Sequence, residues 1–127
     1  NKGLLDISQK KIEAIISAEE LKEIQAIIKS IIIESNLVKY IAEIVLQTRS
    51  FPGIYLGASP RASIAILNAS KALAAIRGRD FVTPEDIQQV CYPVLRHRII
   101  LSPEKEMEGL GSNDLIRQIL EKVEVPR

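Results

Sequence analysis

The chain has 127 residues, of which 46% are hydrophobic and 26% charged, the balance of one soluble globular domain with its own core and not of a disordered chain. Seventeen basic against sixteen acidic residues give a net charge of +1, so no global field draws the protein to nucleic acid or to an anionic membrane, and any anion site must be local. The single cysteine, Cys91, excludes an internal disulfide framework and fits a reducing compartment, and with one histidine it leaves too few ligands for a structural zinc site. No run reaches the roughly 18 apolar residues of a membrane span, and the first thirty residues lack a signal-peptide pattern.

In chain order, Ser8 can cap a short helix through Ile16, with Ile12, Ile15 and Ile16 on one face. Ser17 and Glu20 form a capping box, after which Leu21, Ile24, Ile27, Ile28 and Ile31 repeat at helical spacing. Three β-branched residues, Ile31, Ile32 and Ile33, end that pattern and predict a short extended segment. Ser35 or Asn36 then caps a helix that carries Leu37, Ile41, Ile44, Val45 and Thr48 along one face, with Tyr40 beside it. From Arg49 to Ala58 the helical period vanishes around Pro52-Gly53, which predicts a loop whose Phe51, Ile54, Tyr55 and Leu56 dock on the domain's own core or on a partner.

The next helix organises the chain. Ser59 reads as its N-cap, Pro60 as its first residue and Gly78 as its stop, which predicts a helix over 60–77. Its apolar residues spread round most of the circumference, so it is expected to be packed on nearly all sides. Arg61, Asn68 and Lys71 share one polar stripe. Arg61 lies in the first turn, where the helix dipole opposes a cation. A guanidinium fork beside free backbone N–H groups suits a phosphate; the alternatives are an ion pair with an acidic side chain, or plain exposure to solvent.

Thr83, Pro84, Glu85 and Asp86 restart the chain as a cap, an N1 proline and two first-turn acids. Ile87, Val90, Cys91, Val94 and Leu95 form an apolar stripe that Pro93 is expected to split near Tyr92, leaving a kink or a second short helix over 93–97. Residues 99–101 are a candidate strand to pair with 31–33. Ser102, Pro103 and Glu104 can start one more helical turn, Gly109 and Gly111 form a hinge, and Ser112 caps a last amphipathic helix carrying Leu115, Ile116, Ile119, Leu120 and Val123 inward. The fold class is thus all-α, a compact bundle of about five to six helices with room for one very short two-stranded β pair.

Four blocks in register, Gly57 to Ala62 (GASPRA), Arg77 to Asp80 (RGRD), Val82 to Asp86 (VTPED) and Val94 to Arg98 (VLRHR), resemble the C-terminal lid domain of MoxR-type AAA+ ATPases. The resemblance extends through the earlier helices, from the SAEEL start to the closing Thr48-Arg49, and is loosest before Ile15 and after Gly109. It implies a lid that closes over ATP held by a preceding P-loop domain, with Arg61 as the sensor-2 arginine on the γ-phosphate and Ser59 and Pro60 flanking it. Such arginines stabilise the charge of the moving phosphoryl group and report its presence. The resemblance further implies a cytoplasmic parent that acts as a hexameric ring to remodel or mature client proteins, often ones bearing a von Willebrand factor A domain.

Among the six glycines no Gly-x-x-x-x-Gly-Lys-[Ser/Thr] stretch occurs, so the P-loop, the Mg²⁺-binding acid and ATP hydrolysis belong to a part of the parent outside these residues. The whole of 1–127 is expected to be a single lid domain excised from a longer ATPase, without activity or tight ATP binding alone, and with no nucleic-acid or membrane partner. Two other classes compete. A nucleic-acid-binding bundle would use Arg77, Arg79, Arg96, His97 and Arg98, whereas a free-standing adaptor would dock through residues 51–56. Arg96, His97 and Arg98 otherwise complement a helix C-terminus, as do Arg77 and Arg79, or touch a neighbouring subunit. Tyr40 and Tyr55 read as half-buried, and Cys91 as a small hydrophobe.

Overall fold

The computed structural model describes residues 12–127, which form six helices and one two-stranded sheet. In order these are α1 (Ala18–Ser30), α2 (Ser35–Thr48), β1 (Ile54–Leu56), α3 (Arg61–Ile76), α4 (Pro84–Leu95), β2 (Ile100–Leu101), α5 (Pro103–Met107) and α6 (Ser112–Lys122). The helical bundle matches expectation. Residues 8–11 of the helix predicted before α1 lie outside the described ones, and 12–16 are not helical. Ile12, Ile15 and Ile16 are exposed, and a helix so short does not persist without a face to pack on.

The caps explain where the helices begin. Ser17 and Glu20 exchange the two hydrogen bonds of the expected box, at 3.1 and 3.2 Å. Helix α2 instead begins directly after Glu34, so neither Ser35 nor Asn36 caps it. At α6 the cap position falls on Gly111 rather than Ser112, and Asp114 Oδ2 accepts from the Gly111 N–H at 2.8 Å. Ser102 caps α5 through the Lys105 N–H.

Helix α3 is the hub, packing most extensively on α4 and also touching α1 and α2. It fully buries one stripe, Ala62, Ile66, Ser70 and Ala74, at four-residue spacing. Only Arg61, Ile64, Asn68 and Ile76 of its sixteen residues are exposed, and Leu67, Ala69, Leu73 and Ala75 pack partly buried against the core. The helix is thus covered on most sides as expected, although Ile64 and Ile76, at 60% and 82%, are more exposed than their apolar character predicts. The fully buried stripe is mostly small residues. At its far end the Arg79 N–H reaches Ala74 O at 2.9 Å and the Gly78 N–H reaches Ala75 O at 3.0 Å, with Gly78 at φ 74°: a Schellman turn that stops the helix as expected. The core is completed by Ile41 and Ile44 of α2, Ile87 and Leu95 of α4, and Ile116 and Ile119 of α6, all fully buried and each contributing about 1.5–3 kcal/mol by its burial.

Four expectations are corrected. Helix α4 runs unbroken through Pro93 to Leu95, because a proline in the last turn forfeits one hydrogen bond just where the helix is ending. Residues 31–33 do not pair with 99–101: the Ile32 N–H donates to Asp80 O at 2.8 Å and Ile32 O accepts from the Val82 N–H at 2.9 Å, an isolated parallel bridge to Phe81. The stretch expected to be a loop contains β1, which pairs antiparallel with β2 through Ile54 with Leu101 and Leu56 with Ile100. Segments of two or three residues show no alternation from which a partner could be read. Phe51 and Ile54 pack on the core, while Tyr55 is 77% exposed rather than half-buried.

Candidate anion-binding site at the start of helix α3

The segment between β1 and α3 is pinned to the end of α2. Thr48, fully buried, donates its hydroxyl to Val45 O at 2.6 Å, and its Oγ1 accepts from the Ala58 N–H at 3.0 Å. Gly57 lies so close that a Cβ there would stand 2.4 Å from Thr48 O and 2.7 Å from Arg49 Cα. Only glycine permits this approach. It fixes where residues 58–61 leave for α3.

The result is a cleft of about 520 Å³ whose walls include Arg49 and Tyr55 on one side of the sequence and Ser59 and Pro60 on the other. No acidic residue lines it. The clefts lined by Glu43 and Glu124, and by Glu85 and Glu121, mix acids with Lys39 and Lys122 or with Arg117, whereas Arg49 is the one charged residue lining this one. Arg61 follows Pro60 directly as the first residue of α3, is exposed, and makes no ion pair or side-chain hydrogen bond among the described residues. The first turn of α3 holds no acid. Of the alternatives open for Arg61, the acidic partner is therefore not found within the described chain.

Two details of the expected site are corrected. Ser59 does not cap with its side chain; its carbonyl accepts from the Ala62 N–H at 2.9 Å, and Pro60 O accepts from the Ser63 N–H at 3.0 Å. Pro60 stands at the cap position with helical φ −57°, one residue before the helix proper. Tight turns thus occupy two amides expected to be free. The donor capacity at this end resides in the Arg61 guanidinium more than in the helix terminus.

Arg77 and Arg79 do something other than complement the end of α3. Arg79 clasps the fully buried Asp86 with both nitrogens, Nη1 to Oδ2 at 2.7 Å and Nη2 to Oδ1 at 2.6 Å, and Arg77 Nη1 adds a contact at 3.2 Å. Arg77 Nη2 also donates to Gln89 Oε1. The Thr83 N–H donates to Asp86 Oδ2 at 2.9 Å, closing the capping box of α4. Burial pushes the Asp86 carboxyl up, but the bonds from Arg79 and Thr83, with the Arg79 charge, outweigh it and hold the group below the ordinary carboxylate range. Two cations that the nucleic-acid reading needs are thereby committed inside the domain.

Arg96, His97 and Arg98 are exposed after α4, and Arg96 Nε donates to Tyr92 O at 3.1 Å, the C-terminal role expected of it. Tyr40 is buried, and its hydroxyl oxygen accepts from Gln88 Nε2 at 3.1 Å. Cys91 is buried, which pushes its thiol up to about 12 and leaves it inert. Sequence reasoning missed Arg49 as a wall of the cleft and Gly57 as a contact point. The Thr48-Arg49 pair closing α2 was the available signal, but its meaning depends on where the chain returns ten residues later.

Residues 38–119 match the family model of the AAA lid domain. The uncharacterized protein YeaC of Bacillus subtilis is 37% identical over 115 residues, covering 91% of this chain and 36% of that protein. The chaperone MoxR1 of Mycobacterium tuberculosis is 30% identical over 132 residues, covering 97% of this chain and 35% of that protein. A crystal structure from Cytophaga hutchinsonii, of a protein provisionally described as an ATPase, superposes with a TM-score of 0.83 at 38% identity over 95% of this chain and 41% of its own. The chain thus spans about a third of the length of the curated relatives it matches.

Proposed function

Since this chain belongs to the AAA lid domain family, as the lid of a MoxR-type AAA+ ATPase, we propose that it closes over ATP held by a preceding P-loop domain and meets the γ-phosphate with Arg61. The observation that carries this reading is an exposed arginine without an acidic partner among the described residues, at the start of the hub helix beside a cleft that no acid lines. Such a group is unfavourable where it stands and becomes favourable when a phosphate arrives. The residues here suit a polyphosphate and not its metal. Among the described residues no three His, Cys, Asp or Glu side chains cluster as a metal site, so Mg²⁺ would be held by the P-loop domain.

Loss of the phosphate removes the anchor of α3, and α3 contacts three other helices, so release at Arg61 moves the lid as one body. In a ring of copies, hexameric in this proposal, that motion would drive remodelling of a client protein, with von Willebrand factor A domains as the first candidates.

The test uses the intact protein. Arg61→Ala is expected to lower ATP turnover or affinity by about 10- to 150-fold, the equivalent of the roughly 1.5–3 kcal/mol of a hydrogen bond to a charged group. Arg61→Lys should rescue only partly, because an ammonium lacks the planar fork. The melting temperature should stay near that of the wild type, since the side chain is exposed. A variant that melts many degrees lower with turnover per folded molecule intact would make Arg61 a structural residue. A gene that encodes no P-loop ahead of this domain would overturn the lid function itself.

A further inference from the structure

We propose that Arg49 is a second anion-binding residue of the same site, gripping the polyphosphate from the wall contributed by the end of α2. The proposal rests on the lid reading above and adds a residue to it. Arg49 directly follows α2, is exposed, and has no ion pair or side-chain hydrogen bond among the described residues. The nearest acid along its helix, Glu43, accepts from Gln47 Nε2 at 3.3 Å. Its backbone is held by the close approach of Gly57 and by the Thr48 to Ala58 hydrogen bond, so the guanidinium extends from a fixed base.

The cleft it lines has the volume of a small-molecule site and carries a phenol from Tyr55 and a hydroxyl from Ser59. Arg61 begins α3 at the edge of that cleft. Arg49 is the one charged residue that lines this acid-free concavity, and Arg61 follows its last lining residue, Pro60. A nucleoside triphosphate carries more negative charge than one arginine can neutralise, and a second planar fork matches a neighbouring phosphate oxygen pair. The simpler role, complementing the dipole at the end of α2, needs only a positive charge and would be served equally by lysine.

In the full-length protein, affinities for ATP, ADP and inorganic tripolyphosphate, and the melting temperature of the nucleotide-free form, are measured for Arg49→Ala, Arg49→Lys and Arg61→Ala. Arg49→Ala is expected to weaken ATP and tripolyphosphate binding by about tenfold or more, with the nucleotide-free melting temperature unchanged. Arg49→Lys should recover only part of the loss. If ATP affinity changes less than about twofold, or if lysine restores it fully and alanine lowers the melting temperature, the proposal falls and Arg49 serves the helix end or an ion pair with another domain. An Arg61→Ala loss beside an unaffected Arg49→Ala removes this proposal and leaves the lid reading standing. Weakened tripolyphosphate binding in Arg49→Ala, with Arg61→Ala unaffected, supports the second arginine and removes the assignment of Arg61.

Discussion

Asp86→Ala should destabilise the domain by about 3 kcal/mol, the low end of the cost of removing one partner from a buried ion pair. The carboxylate is fully buried and receives Arg79 through two bonds, Arg77 through one and the Thr83 N–H through another. Its loss leaves the Thr83 amide without its capping acceptor. The side chains of Arg77 and Arg79 are 39% and 25% exposed, so they can turn to water, which is why the upper end of the range is not reached. For a domain of this size the melting temperature should fall by roughly 10–15 °C. A fall of only a degree or two would mean that the clasp adds nothing beyond what solvent provides.

The same residue fixes a pH dependence. The folded carboxyl titrates below its ordinary value of 3.8, so its stabilising contribution is complete above that value and is lost as pH falls through the lower, folded pKa. Asp86→Asn keeps the shape and removes the charge. The gap in melting temperature between wild type and Asp86→Asn should therefore be constant from about pH 5 to 7 and close below about pH 4. A gap that persists undiminished to pH 2 would contradict the assignment.

What could be read in advance follows the range of the forces involved. Although Asp86 read only as a first-turn acid and not as the return half of a second box, the box at Ser17 with Glu20 and the cap at Thr83 are local, and both were legible. The second role of Asp86 was not, because it depends on the Schellman turn at Gly78 swinging Arg79 back across the start of α4. Periodicity carries no information on the direction a turn takes. The same holds for the site: Arg61 stands out in the sequence as a cation at the wrong end of a helix, whereas Arg49 reads as the unremarkable end of α2 until the fold brings Gly57 against it. Residues 31–33 read correctly as extended, but a segment that short does not choose between Phe81 and residues 99–101.

Gly57→Ala should be as damaging to function as any change in the site, although the glycine itself offers no chemistry. Its Cβ would stand 2.4 Å from Thr48 O, 2.6 Å from Thr48 C and 2.7 Å from Arg49 Cα, all backbone atoms that cannot rotate away. The strand-to-helix segment must therefore move off the end of α2. Overpacking of this kind costs about 1–3 kcal/mol, and weakening the Thr48 to Ala58 hydrogen bond adds about 1 kcal/mol. Movement here shifts Arg49 and the start of α3 relative to one another. In the intact protein ATP affinity should fall with the melting temperature, and folded Gly57→Ala molecules at low temperature should still bind ATP weakly. Gly78→Ala provides the comparison: nothing lies within 4 Å of its Cβ, but φ 74° strains an alanine by about 1–2 kcal/mol. That variant should lose stability and keep its ATP affinity once folded. If both glycine variants lose stability equally and bind ATP equally well, the close approach of Gly57 holds the chain together but does not set the geometry of the phosphate site.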